Sequence, residues 1–465
     1  MNTGIKKIIR SIFRCSFAHL YISIIFIALG CSSSKPPVES PPEKVSAPLH
    51  AIDTAAQATA QLLAGICPDN DEALRDLCAS KGWKAHSREF SAAWEKFDAQ
   101  KLEPVRNWSK TALADVSPAT ETLFYPFSGP DFIYAHTFVP TASRYLLFGL
   151  EPVGSIPDLT SMSPAELTGF LAILKRSFRE ILSYSYFITH KMSRDIRSRS
   201  SLDGVTPILM TMIAREGLVI LSVRRVALSG EDTPSRIHGV EIVVVDTAGA
   251  RHEIVYFQID ISNGRRAKNK AFYEYLDGVP EPVTTFVKSA SYIMHDSYFS
   301  DIRSAILEKS TSIVQDDTGI PYRFLPRSQW DVQLYGRYAK PIRTFEKRFQ
   351  PDLKRAYRDS DAVRFRYGYN KESNFLVAAR KAESPDAGKR IKRTTVKLIG
   401  FTCDKRKCLV RVDKDGTEYL LRSPAKFRKT LKRLDESPIR IVWHDNPDTD
   451  DPAAYILDNI ELAIK

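Results

Sequence analysis

The sequence predicts an α+β protein, with a helical amino-terminal segment, a central mixed domain containing antiparallel strands, and a small β-rich carboxyl-terminal domain. Three observations carry this prediction. Apolar residues recur at helical spacing through Ile52, Ala55, Ala56, Ala60 and Leu63, and again through Leu167, Phe170, Leu171, Leu174, Phe178, Ile181 and Leu182. Alternating or short continuous apolar runs stand at Leu218–Ala227, Glu241–Val245, His252–Ile261 and Thr394–Phe401, bounded by turn residues. Helical and extended segments follow one another without the regular βαβ spacing of a parallel sheet.

In chain order, residues 50–115 read as helical, with Phe90, Trp94 and Phe97 one turn apart. Trp83, Trp94 and Trp108 read as packing residues. Residues 116–381 form the expected central domain. Leu123–Phe127 and Tyr145–Leu150 read as strands around the turn Ser128-Gly129-Pro130-Asp131. Ser163-Pro164-Ala165-Glu166 is a capping box with Pro at the first helical position, and it opens a long helix with one apolar face. A helix over Pro207–Glu216 stops at Gly217, and Asp246–Arg251 joins two strands as a hairpin. Val283–Ala290 reads as a strand, Phe299–Ser310 as a helix and Gln315–Tyr322 as a turn-rich loop. Ile342–Tyr357 is basic and helical with a break at Pro351, and Arg364–Tyr369, alternating charge and ring, fits an exposed edge strand. After a short linker, residues 389–465 form a basic α+β or barrel-like domain, with Thr394–Phe401 and Leu409–Val412 paired around Cys403 and Cys408.

The amino terminus has a different logic. Lys6, Lys7, Arg10 and Arg14 precede the apolar run Leu20–Leu29. That run is far shorter than the roughly 20 residues a spanning helix needs, so it reads as a secretory signal over residues 1–30. Ile27-Ala28-Leu29-Gly30-Cys31 resembles the lipobox of bacterial lipoproteins. The resemblance implies cleavage before Cys31, lipidation of its thiol and an acylated new amino terminus. More than one acyl chain gives stable anchoring, at about 0.8 kcal/mol per buried methylene. Ser32 after the cysteine implies, in that class, residence in the outer membrane, with the protein facing the periplasm. Residues 31–49 hold Pro36, Pro37, Pro41, Pro42 and Pro48 and read as an extended tether.

Removal of Cys15 with the signal and lipidation of Cys31 would leave Cys67, Cys78, Cys403 and Cys408. Two local pairs in an exported chain suggest two disulfides. A four-cysteine zinc site is the rival, disfavoured because neither spacing is C-x-x-C.

The net charge of +12 resides in one stretch: Lys389–Arg433 holds sixteen Lys and Arg against four Asp and Glu, the whole of the excess. Lys405, Arg406 and Lys407 fall at a hairpin tip, and Arg428, Lys429, Lys432 and Arg433 on a helical strip. These are the candidate anion-binding residues. Their expected partner is an anionic envelope polymer or lipid, and nucleic acid is disfavoured.

No motif specific to a reaction is present. Val243–Gly249 looks like a GTPase D-x-x-G strand and loop, but no phosphate-cradling G-x-x-x-x-G-K-[ST] accompanies it, so it reads as a hairpin turn. Asp317-Thr318-Gly319 matches the aspartic-protease triplet. No second triplet supplies the other carboxylate, so it reads as a tight turn. The histidines are scattered, and neither a metal site nor a cofactor is expected.

The best site candidate is Tyr125–Gly154, whose turns display Ser128, Asp131, His136 and Glu151 beside strand ends. Asp131 and Glu151 are the candidate acid–base carboxylates, with His136, His295 or Asp316 in support. The segments Phe127-Ser128-Gly129-Pro130-Asp131 and Gly149–Gly154 resemble stretches of uncharacterised bacterial exported proteins, a likeness that brings no activity with it. The structural alternative is that Ser128 and Asp131 cap a helix and Glu151 pairs with an arginine. The sequence therefore favours a non-catalytic binding or scaffolding lipoprotein over an envelope hydrolase or transferase.

Overall fold

A computed structural model describes residues 51–69, 71–184, 202–228, 236–357, 360, 363–369, 373–381, 392–404, 407–414, 417–424, 428–432, 438–445 and 455–462. Cys31, the signal, the tether, Lys405, Arg406 and Arg433 lie outside them.

The amino-terminal segment is helical, as α1 (Thr54–Leu63), α2 (Glu72–Leu77), α3 (Lys81–Phe97) and α4 (Glu103–Ala112). Each of the first three begins where a short polar side chain accepts a free backbone N–H. Asp53 takes Ala56 N at 3.0 Å, Asp71 takes Leu74 N at 3.0 Å, and Ser80 takes Trp83 N at 3.2 Å. A disulfide joins Cys67 to Cys78 across α2.

The central sheet has nine strands: β1 (Thr122–Tyr125), β2 (Arg144–Gly149), β3 (Val219–Leu228), β4 (Ile237–Val245), β5 (Arg251–Gln258), β6 (Val283–Val287), β7 (Ser312–Gln315), β8 (Trp330–Gly336) and β9 (Asn374–Arg380). Their spatial order is β3-β4-β5-β2-β1-β6-β7-β9-β8. The hairpin expected around Asp246–Arg251 is present as antiparallel β4 and β5. The centre, β5-β2-β1-β6-β7, is parallel throughout, which the irregular spacing of elements concealed. Antiparallel pairs flank it on both sides.

Both faces of the parallel centre are buried. Tyr125, Tyr145, Leu147 and Phe286 point into one apolar cluster, which they share with residues of all four amino-terminal helices, α5 (Phe132–Phe138), α6 (Pro164–Tyr184) and α7 (Thr206–Arg215). Phe124, Leu146, Phe148 and Val283 point into a second cluster, with α8 (Lys270–Asp277), α9 (Ser300–Lys309) and α10 (Pro351–Ala356). Two-sided burial is what a parallel centre requires. α6 opens with the expected capping box: Ser163 N donates to Glu166 at 2.8 Å, and Glu166 N to Ser163 Oγ at 3.3 Å. Arg364–Tyr369 is not an edge strand. Phe365 and Tyr367 are buried in the first cluster, and Gly368 has a left-handed backbone (φ +75°).

The carboxyl-terminal domain is a closed barrel of β10 (Lys392–Cys403), β11 (Lys407–Lys414), β12 (Thr417–Pro424), β13 (Pro438–Asp445) and β14 (Tyr455–Leu462), with α11 (Arg428–Leu431). Its interior holds Val396, Leu398, Val410, Val412, Leu421 and Ile441. The second disulfide, Cys403–Cys408, ties the ends of β10 and β11.

Candidate functional site

The parallel centre has a point of divergence. From β1 the chain leaves through α5 to β2, on the side of the first cluster. From β6 it leaves through α9 to β7, on the side of the second. Neighbouring strands whose connections part in opposite directions leave a crevice beyond their carboxyl ends, where ligands of open α/β sheets bind. The corresponding place here lies between residues 126–131 after β1 and 288–292 after β6.

The backbone is strained at this place. Among the described residues, the non-glycine positions with a left-handed backbone are Phe127 (φ 61°), Ser289 (52°), Ser291 (53°) and Tyr292 (58°), all in these two loops. Each costs about 1–3 kcal/mol, and such strain gathers at functional sites.

Across the crevice lies a buried ion pair. Asp131 begins α5 and accepts Tyr134 N at 3.4 Å through Oδ1. Its Oδ2 accepts the Tyr125 hydroxyl at 3.0 Å and the Lys288 ammonium at 2.6 Å. The ammonium also lies 3.6 Å from the centre of the Tyr134 ring, a cation–π contact. Burial pushes the Asp131 carboxyl up and the Lys288 ammonium down, and their mutual contact opposes both shifts.

The loop after β7 supplies a second carboxylate. Asp316 accepts Ser289 N at 3.0 Å through Oδ2, and Thr318 N at 2.9 Å together with the Thr318 hydroxyl through Oδ1. Thr318 Oγ1 in turn accepts Ala290 N at 2.7 Å. Burial and the adjacent Asp317 push the Asp316 carboxyl up to about 7. Asp317 accepts from the Tyr292 hydroxyl and, at 3.0 Å, from Asn374 Nδ2. The triplet Asp317-Thr318-Gly319 therefore works as a turn, closed by Gly319 N donating to Asp316 O at 3.2 Å.

Tyr367, Gly368 and Tyr369 border the same groups. A Cβ on Gly368 would lie 2.7 Å from Asp316 Oδ2, so this approach demands glycine. The Tyr369 hydroxyl donates to Ser289 O at 2.6 Å. The hydroxyls of Ser289 and Tyr367 are buried and have no hydrogen-bond partner.

The candidates from the sequence take separate places. Asp131 is in the crevice and caps α5. Glu151 is buried after β2, with its Oε2 3.4 Å from the Tyr256 hydroxyl. His136, on α5, pairs through Nδ1 with Glu216 at 2.8 Å, and Glu216 also meets Arg106 at 3.4 Å. The carboxylate that shares Lys288 and Tyr367 as electrostatic neighbours with Asp131 is Asp316, not Glu151. His295 is half-buried, beside the ring of Tyr292, and its partial burial with Arg323 and Arg348 nearby holds its imidazole down to about 4. Ser128 bridges to β2, accepting Phe148 N at 3.0 Å. In the barrel, Lys407 is half-buried at the start of β11, and Arg428, Lys429 and Lys432 are exposed on and just after α11.

Lys288 went unread in the sequence. Its signal was an ionisable residue interrupting the apolar stretch Val283–Ala290. Among the described residues, no cluster of His, Cys, Asp and Glu suits a metal ion, and no helix is long and apolar enough to cross a membrane. No family model matches this chain, and no curated protein matches it in sequence.

Proposed function

We propose that the protein is a lipid-anchored lipoprotein of a bacterial envelope, held through Cys31 on the outer membrane and facing the periplasm, and that its role is to bind rather than to react. The observation that supports binding is how fully the crevice groups are engaged. Both oxygens of Asp131 and of Asp316 already accept from protein donors, and Lys288 is committed to Asp131 and the face of Tyr134. Groups held this way fix the shape of a rim, whereas a general base needs an oxygen free to take a proton from its substrate. On this reading the strained loops after β1 and β6 carry a ligand, and the basic barrel meets an anionic partner in the envelope.

Fractionation tests the anchor. Cys31→Ala should leave the protein unprocessed or in the soluble fraction, and unchanged membrane retention would refute lipidation. Salt-sensitive binding of the mature chain to anionic vesicles or polymers tests the barrel, and deletion of Lys389–Lys465 should abolish it.

One observation favours a second reading, an envelope hydrolase or transferase: the Asp316 carboxyl stands near neutrality, where a proton shuttle works best. Products released from purified envelopes by the native protein and not by Asp316→Asn would support this second reading over the first.

A further inference from the structure

Two buried hydroxyls beside Lys288 and Asp316 lack a hydrogen-bond partner, those of Ser289 and Tyr367. Tyr367 is 2% exposed. Its hydroxyl lies within electrostatic reach of Asp316 and Asp131, as does that of Tyr125. Ser289 approaches the same groups from the loop after β6. A Cβ on Gly368, the residue after Tyr367, would stand 3.5 Å from Ser289 Oγ. Buried hydroxyls of folded proteins are mostly paired, and an unpaired one carries a desolvation cost that a bound partner removes. Ser289 also has one of the strained left-handed backbones, at φ 52°, and such strain gathers at ligand sites.

The loops that bear these hydroxyls also carry rings that solvent reaches. Ser289, Ser291, Phe345 and Tyr369 are half-buried. The Tyr369 ring stands 5.7 Å from that of Phe345, and its hydroxyl lies 2.8 Å from Ser291 Oγ. On the other flank, half-buried Phe127 meets Phe299 edge-on at 5.7 Å, and Phe299 meets Tyr298 at 5.5 Å. Tyr298 is 54% exposed. Small-molecule sites combine apolar rings of this kind with a few placed hydroxyls.

We infer that the loops after β1 and β6 bind a neutral saccharide, whose hydroxyls pair with Ser289 and Tyr367 and whose apolar face lies against the rings beside them. This rests on the reading that these loops carry a ligand, and names its class. A hydroxyl both donates and accepts, so sugar hydroxyls can complete either group. A phosphate or carboxylate would meet Asp131, Asp316 and Asp317, while Lys288 is already held by Asp131. A cation would meet that ammonium, and an Asp316 carboxyl that burial and Asp317 keep protonated up to about 7.

The test titrates the full mature chain, with Cys31→Ser, against maltotriose, chitotriose, glycerol 3-phosphate, putrescine and dialanine by calorimetry. One or both trisaccharides should bind, with an affinity that salt leaves unchanged, which separates this site from the basic barrel. Tyr367→Phe and Ser289→Ala should each weaken binding roughly tenfold, and Tyr298→Ala roughly threefold or more. Without ligand, Tyr367→Phe should raise the melting temperature by about 1–3 °C, because it removes an unpaired hydroxyl. A hydroxyl with a purely structural role would give the opposite sign. A lower melting temperature for Tyr367→Phe, or trisaccharide binding that the variants leave unchanged, would overturn the inference. Binding of the phosphate, the diamine or the dipeptide instead, lost with Tyr367→Phe, would overturn it too and leave standing the reading that these loops carry a ligand. Binding to none of the five probes would sink both.

Discussion

Lys288 donates to Asp131 at 2.6 Å, though 157 positions separate them in the chain and both side chains are almost wholly buried. Removing one member of such a pair leaves the other charge unpaired in a poorly polarisable interior. Lys288→Met is expected to lower stability by about 3–5 kcal/mol. Lys288→Met combined with Asp131→Asn should recover much of that loss, because the orphaned charge goes with its partner while one oxygen remains to cap α5. Denaturant midpoints of the two single variants and the double variant measure the coupling. Strict additivity would mean that the two groups do not stabilise one another.

Asp316 should imprint itself on the pH dependence of stability. Its folded carboxyl stands at about 7, above the ordinary aspartate value of about 4. Between those values the unfolded chain has lost a proton that the folded protein keeps. Stability therefore falls as pH rises through this window and levels off above it. Asp316→Asn removes that contribution, so the variant curve, whatever its offset, should be flatter between about pH 4 and 7. Melting temperatures across this range give both curves, and parallel curves would place the carboxyl at its usual value.

Gly368→Ala tests how tightly Tyr367–Tyr369 closes on the crevice. The new methyl would stand 2.7 Å from Asp316 Oδ2 on a backbone with φ +75°. A loss of about 1–3 kcal/mol is expected, together with altered protease sensitivity around 363–369. A neutral substitution would show that this segment can lift off at little cost.

The disulfides make a simpler prediction. Labelling of the native mature protein should find no free thiol at Cys67, Cys78, Cys403 or Cys408. Cys403→Ser with Cys408→Ser should cost the barrel roughly 2–3 kcal/mol in the chain-entropy account. A labelled Cys403 in the native protein would show the tie between β10 and β11 to be open.

What the sequence disclosed follows the range of the interactions. The capping box Ser163–Glu166, the hairpin around Asp246 and the pairing around Cys403 and Cys408 each rest on neighbours within a few positions, and each was readable. The parallel centre was not. β1, β6 and β7 are only four or five residues long and buried on both faces, so they show no alternation. Asp131 was visible as a turn acid. Lys288 interrupts the expected strand Val283–Ala290, but nothing nearby in sequence announces its partner. Arg364–Tyr369 alternates as a strand would, yet its rings serve the core, and Gly368 is required by the approach to Asp316.

The place of β1 at the middle of the sheet has a consequence for the order in which the chain becomes a protein. One flank can be taken early, by β2 at Arg144–Gly149, while the other waits for β6 at Val283–Val287. The central strand keeps one open edge until residues 150–282 have also emerged. An unpaired edge is an aggregation hazard for that interval. The segment that ends it also delivers Lys288, so the cation reaches Asp131 together with the strand that seals the sheet around it.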